Sequence, residues 1–164
     1  MIKSGLRKVC FRLSFVTACG VFFVPDALAA DVAQVIELTQ VPCQFLESEG
    51  GSNRGYASRS INDCETINAK TAKQRLAQAK PLELKPGKYV FRVTNKNVPY
   101  ELGFWLRSAS VVNRITLPSV SGGGLAPGRT QDYAIDLKPG EYVYSCPLNP
   151  TPDYKLVVKS ERGR

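Results

Sequence analysis

From residue 82 onward the sequence alternates, and that alternation limits the fold more than any other feature of the chain. Tyr89, Phe91 and Val93 alternate with Val90, Arg92 and Thr94, and Tyr133, Ile135 and Leu137 with Asp132, Ala134 and Asp136. Tyr154, Leu156 and Val158 alternate in the same way with Lys155, Val157 and Lys159. A period of two sends one set of side chains to one face of a pleated strand, so each run predicts a strand with one face in a core. The runs are divided by Lys85-Pro86-Gly87, Gly122-Gly123-Gly124, Pro127-Gly128 and Lys138-Pro139-Gly140. Proline presets φ and glycine permits a positive φ, so these are turns. Many short strands separated by such turns predict an all-β, Greek-key β-sandwich. Residues 84-LKPGKYVFRV-93 and 137-LKPGEYVYSC-146 nearly repeat. Two hairpins that share one turn chemistry explain this more simply than a duplication does.

The first half of the chain follows different rules. Ile36 and Leu38 alternate with Glu37 and Thr39 and predict a first strand, followed by Val41-Pro42-Cys43. Residues 47–59 are rich in Gly, Ser and charge and read as a loop. Ile61, Cys64, Ile67, Ala72, Leu76 and Ala79 then recur mostly at helical spacing, and Asn62 with Glu65 resembles a capping box. The expectation is one helix, about residues 62–79, inside an insertion of residues 47–80 after the first strand.

Before all of this comes a basic start (Lys3, Arg7, Lys8, Arg12), an apolar run from Leu13 to Val24, and Ala27-Leu28-Ala29-Ala30. That order predicts a cleaved secretory signal peptide, residues 1–30, too short and wrongly flanked for a transmembrane segment. Val16-Thr17-Ala18-Cys19 is a loose lipoprotein box and ranks second, because only six residues separate Arg12 from Cys19. Residues 31–164 are enough for one domain, expected to be periplasmic or secreted. The whole chain carries a net charge of +8, but its basic residues are scattered, with no dense run and no aromatic interleaving. A solvated basic surface is the reading, with no nucleic acid as partner.

Two residue types are missing where chemistry would need them. There is no histidine, and the only methionine is Met1. The commonest general base is therefore absent and no nucleophile dyad is visible, so an enzyme is the least favoured class. The imidazole and thioether that complete a blue-copper centre with a cysteine are also absent.

The turns and the strands that follow them resemble the cupredoxin family. PGKYVFRVTNKNVPYELGFWL (residues 86–106) is similar to its central strand pair, and LAPGRTQDYAIDLKPGEYVYSCPLNP (residues 125–150) to its last strands and ligand loop. Histidines of that family would stand near Tyr100 and Asn149, so the resemblance implies the fold, a cupredoxin-type sandwich, without its type 1 copper. A narrower similarity is to the cupredoxin-like domain of EfeO-type periplasmic proteins, which accompany an iron permease. Cys43 after VIELTQVP, LKPGKYVFRVTNKN, Glu101 in PYELGF, LAPG and LKPGEYVYSCPL follow that pattern in order. The insertion holding Cys64 departs from it, and the helical metal-binding domain of the longer relatives has no counterpart in these residues.

Cys43, Cys64 and Cys146 lie outside the leader and allow two arrangements. Read from the residues, a Cys43–Cys64 disulfide would pin the helical insertion to the sandwich, leaving Cys146 a buried thiol. Closing a 21-residue loop stabilises by about 3 kcal/mol on the chain-entropy estimate. The resemblance implies instead that Cys43, Glu101 and Cys146 are metal ligands, with Tyr100 and Asn149 as supporting groups. Soft thiolates select Cu(I), so copper is the metal this arrangement would take. Trp105 and Phe104 are expected to pack in the core. Two functions follow from these arrangements. One is a metal-binding or redox accessory in iron or copper handling, beside a membrane permease or a periplasmic metal-handling or redox protein. The other is a metal-free derivative that binds another protein.

Adding Cu(II) should produce no intense blue charge-transfer band, because a cysteine with two imidazoles cannot be assembled from this chain. Visible absorbance checks this, and strong blue colour would refute it.

Overall fold

The computed structural model describes residues 32–160, so the expected leader lies outside the described residues. The elements run β1 (Gln34–Val41), β2 (Gln44–Phe45), α1 (Ile61–Gln78), β3 (Leu82–Leu84), β4 (Gly87–Asn95) and β5 (Leu102–Ser108). They continue as β6 (Val120–Leu125), β7 (Thr130–Leu137), β8 (Gly140–Ser145) and β9 (Tyr154–Val158). One sheet has the order β2-β1-β4-β7, and the other β3-β9-β8-β5-β6. β1 with β4, and β3 with β9, are parallel; the remaining pairs are antiparallel. β4 has β1 on one side and β7 on the other, so neighbours in space are remote in sequence, as Greek-key connections produce. The all-β sandwich with one helical insertion is the architecture that the alternation predicts.

Alternation places the core. Tyr89, Phe91, Val93, Tyr133, Ile135 and Leu137 face inward from the first sheet, and Tyr142, Tyr144, Tyr154, Leu156 and Val158 from the second. Phe104 joins the two layers: its ring lies 5.5 Å from Phe91, 5.1 Å from Tyr133 and 6.2 Å from Phe45. Trp105, expected in the core, is instead on the outer face of β5 and 38% exposed. Phase decides this: Phe104 and Leu106 point inward, so the residue between them points out.

The first strand ends in a tight hairpin that the sequence reading did not anticipate. Val41 pairs with Gln44, so Pro42 and Cys43 are its two loop residues. Proline suits the first position, and Cys43 takes φ +62° at the second, a left-handed conformation that usually calls for glycine.

The helix lies within a residue of its expected bounds, but it starts and docks differently. Its cap is formed by Asp63, whose carboxylate accepts the backbone N–H groups of Arg59 (2.8 Å) and Ser60 (3.0 Å), not by Asn62 and Glu65. Ile61 and Leu76, expected on the buried face, are exposed. The buried positions are Cys64 and Arg75, with Asn68 and Thr71 half-buried between them. Asn68 donates to the carbonyl of Pro150 and accepts from Arg75. The Arg75 guanidinium, 1% exposed, meets the Glu49 carboxylate at 2.7 Å and also donates to the Cys43 carbonyl (2.8 Å). Tyr154 donates its hydroxyl to Glu49 at 2.5 Å. A polar clamp, not an apolar stripe, holds α1 to the sandwich.

Burial alone would raise the Glu49 pKa, but hydrogen bonds from Arg75, Tyr154 and Arg54, with the Arg75 charge, outweigh it and hold the carboxyl below its ordinary value. Its stabilising contribution is therefore complete above the ordinary Glu pKa, about 4.3, and is lost as pH falls below it through the lowered folded value. Glu49→Gln should remove that acid limb. It should also cost about 3–5 kcal/mol at neutral pH, because it leaves Arg75 buried without its counter-charge. Denaturant titration across pH measures both effects.

Candidate functional site

The loop joining β8 to β9, residues 146–153, gathers the chemistry at one end of the sandwich. Cys146 follows directly from β8 and is buried. Its N–H donates to Thr151 Oγ1 (3.0 Å), and the N–H of Thr151 returns to its carbonyl (3.4 Å), which closes the loop. The thiol sulfur accepts from the N–H groups of Asn149 (3.2 Å) and Gly103 (3.4 Å). Burial raises its pKa, against the partial opposition of those N–H groups and Gln40. A thiol raised in this way stays protonated and unreactive near neutral pH.

Asn149 is fully buried, at the position where the resemblance placed a missing histidine. Its Oδ1 accepts the N–H of Cys43 at 2.7 Å, and its Nδ2 donates to the carbonyl of Val41 (3.0 Å) and to Gln40 Oε1 (3.4 Å). Gln40 in turn donates to the carbonyl of Gly103 at 2.8 Å. The same Asn149 oxygen lies 3.2 Å from the sulfur of Cys64. Cys43 and Cys64 are joined in a disulfide, both fully buried, while Cys146 is free.

Tyr100 is half-buried, with its hydroxyl 2.6 Å from Ser58 Oγ and 3.9 Å from the Cys64 sulfur. Burial, chiefly, raises its pKa. Glu101 behaves otherwise. It is exposed, and its carboxylate accepts the N–H of Gly124 at 2.9 Å.

Cys43, Cys64, Cys146, Asn149 and Tyr100 thus form one connected cluster, and Glu101 is engaged outside it. Of the expected ligand trio, Cys43 and Cys146 lie in this cluster and Glu101 does not, and no three His, Cys, Asp or Glu groups cluster to hold a metal among the described residues. The Cys43 sulfur is spent in the disulfide, and the Glu101 carboxylate on a backbone N–H. Gln40 was missed, though its signal was present. It shares the inward phase of Ile36 and Leu38, where a polar side chain must find buried partners. Glu49 and Arg75 carried no such signal.

Beside the loop lies a shallow groove of about 360 Å³, lined by Gly103, Trp105, Gly122, Gly123, Pro147 and Leu148 among others. Gly103 is required here, since a Cβ would meet the Gly122 carbonyl oxygen at 2.7 Å. The Arg107 guanidinium lies 4.0 Å from the Trp105 ring centroid and pairs with Asp153 at 2.7 Å. That stack holds the indole in a fixed orientation on the surface.

No protein-family model matches the chain, and no curated protein sequence matches it. Among solved structures, auracyanin B is similar over 77% of this chain and 89% of its own, at 13% identity and a TM-score of 0.48. No residue role is carried over from it.

Cys43→Ala and Cys64→Ala should each lose about 3 kcal/mol of stability, the worth of one closed loop. Among Cys43, Cys64 and Cys146, iodoacetamide should label none natively, Cys146 alone after unfolding, and Cys43 and Cys64 only after reduction. Peptide mass mapping reads this pattern, and Cys146 found in a disulfide would contradict it.

Proposed function

We propose that this chain is an exported, cupredoxin-like accessory in iron or copper handling that acts by contact with another protein and carries no metal in its oxidised form. One observation carries the reading: the groups a metal would need are already engaged within the protein. Cys43 is bonded to Cys64, the Cys146 sulfur accepts two N–H groups, and the Asn149 amide is committed to Cys43, Val41 and Gln40. The disulfide supports export, since such bonds persist in oxidising compartments. The groove beside Leu148 supports contact, because it offers a small apolar surface with a fixed aromatic at its edge. The partner in this reading is a membrane permease or a periplasmic metal-handling or redox protein.

A second reading keeps a specific observation in its favour: all three cysteines meet Asn149, Cys43 through its N–H and Cys64 and Cys146 through their sulfurs. On reduction, Cys43 and Cys146 become available as thiolates suited to Cu(I).

Calorimetric titration separates the two. The oxidised protein should bind neither copper nor iron stoichiometrically, while Trp105→Ala should weaken partner capture. Stoichiometric metal on the oxidised protein would overturn the proposal. The second reading requires about one Cu(I) per reduced chain, bound more tightly as pH rises through the thiol range. It also requires loss in Cys43→Ser and Cys146→Ser but not in Cys64→Ser.

A further inference from the structure

The end of the sandwich opposite the Cys146 loop presents a different surface. Strand register defines it: Gln34 lies beside Tyr89, Gly87 beside Leu137, Ser108 beside Tyr142 and Gly140 beside Val158. The starts of β1, β4 and β8 therefore meet the ends of β3, β5, β7 and β9 here. The connection from β5 to β6 projects from this end as a short 3-10 turn, Val112–Ile115. Its base is fixed by the Ala109 N–H on the Glu141 carbonyl (3.0 Å) and by Leu117 packed over Gly140, where a Cβ would come within 2.8 Å of the leucine.

The tip of this loop is apolar and uncovered. Val111, Val112 and Ile115 are 70%, 82% and 95% exposed. Scattered single apolar residues are ordinary on a surface, but three within five residues on a convex tip are not. Arg114 stands among them, exposed, and Lys138 is exposed on the neighbouring turn. Of the acids at this end, Glu83 is paired with Lys159 (2.6 Å) and Asp136 lies opposite Lys88 in the ladder, while Glu141 offsets one charge. Arg114 and Lys138 thus outnumber Glu141 beside the apolar tip.

We propose that this end docks on an anionic lipid surface. Val111, Val112 and Ile115 enter the boundary between headgroups and acyl chains, and Arg114 and Lys138 meet lipid phosphates. An apolar tip flanked by long cationic side chains is the pattern that interfacial binding selects. A protein partner would more naturally meet a concave site, and the groove beside Leu148 lies toward the other end. Docked in this way, the chain turns the Cys146 loop away from the lipid, which favours a soluble partner over a permease for that loop.

The test is co-sedimentation of the mature exported protein with vesicles of phosphatidylethanolamine and phosphatidylglycerol, against vesicles of phosphatidylcholine alone. Binding is expected to the anionic vesicles only, and to weaken with salt. Ile115→Asp and Lys138→Glu should each lower it by about tenfold, at unchanged Tm. Trp105→Ala, at the opposite surface, should leave it unchanged. Absence of binding to anionic vesicles, or undiminished binding by the Val112→Asp and Ile115→Asp double variant, would overturn the proposal.

Discussion

The site at the Cys146 loop depends on one buried side chain, the carboxamide of Asn149. Its oxygen takes the N–H of Cys43 and its nitrogen reaches Val41 and Gln40, more than a hundred positions away in sequence. Its own N–H meets the Cys146 sulfur. One residue thereby fixes the end of β1, the turn bearing the disulfide and the loop after β8. A neutral amide suits this task because it offers donors and an acceptor together. Each is satisfied, so its burial costs little. A metal ligated by this amide would first have to displace those hydrogen bonds.

The insertion obeys a second constraint of the same kind. A helix with exposed Ile61 and Leu76 cannot be held by apolar burial, so its attachment falls to Cys64, Asn68 and Arg75. Desolvating Arg75 and Glu49 is expensive, and the pair is tolerable only because Tyr154, Asn68 and the Cys43 carbonyl satisfy the remaining groups. What such a network supplies is position: it admits one arrangement of helix and sandwich. Tyr154 reports how strongly the site favours the carboxylate, since burial and the Glu49 charge push its hydroxyl far up and keep it a donor.

How much was legible in the sequence follows from this division. Strands with one buried face alternate, and Tyr89 to Val93, Tyr133 to Leu137 and Tyr154 to Val158 could be read with their faces assigned. β2 has only two residues, too short for any period to register. Trp105 was misplaced because residue type was weighed above phase, although Phe104 and Leu106 already fixed it. The helix was visible by spacing, but the spacing counted apolar residues while the docking face is polar. Its cap slipped by one position pair because Ser60 with Asp63 and Asn62 with Glu65 both fit the pattern. The Cys43–Cys64 bond could be foreseen because a cysteine on an inserted helix follows a cysteine at its root. The placing of Glu101 outside the cysteine cluster could not be, because it turns on Glu101 accepting the Gly124 N–H.

The left-handed backbone of Cys43 shows how these constraints reinforce each other. A non-glycine residue there costs about 1–3 kcal/mol, and it persists only where its surroundings determine it several times over. Pro42 sets the preceding φ, Asn149 holds the N–H, Arg75 holds the carbonyl and the disulfide holds the side chain. Breaking the disulfide removes one of these restraints and leaves the other three. The insertion would remain docked through Arg75, and Cys43 would remain beside Asn149 and the Cys146 loop. Reduction therefore changes the chemistry of the cluster without dispersing it: two thiols replace one disulfide at fixed positions. That persistence is what makes the reduced, copper-binding reading physically coherent.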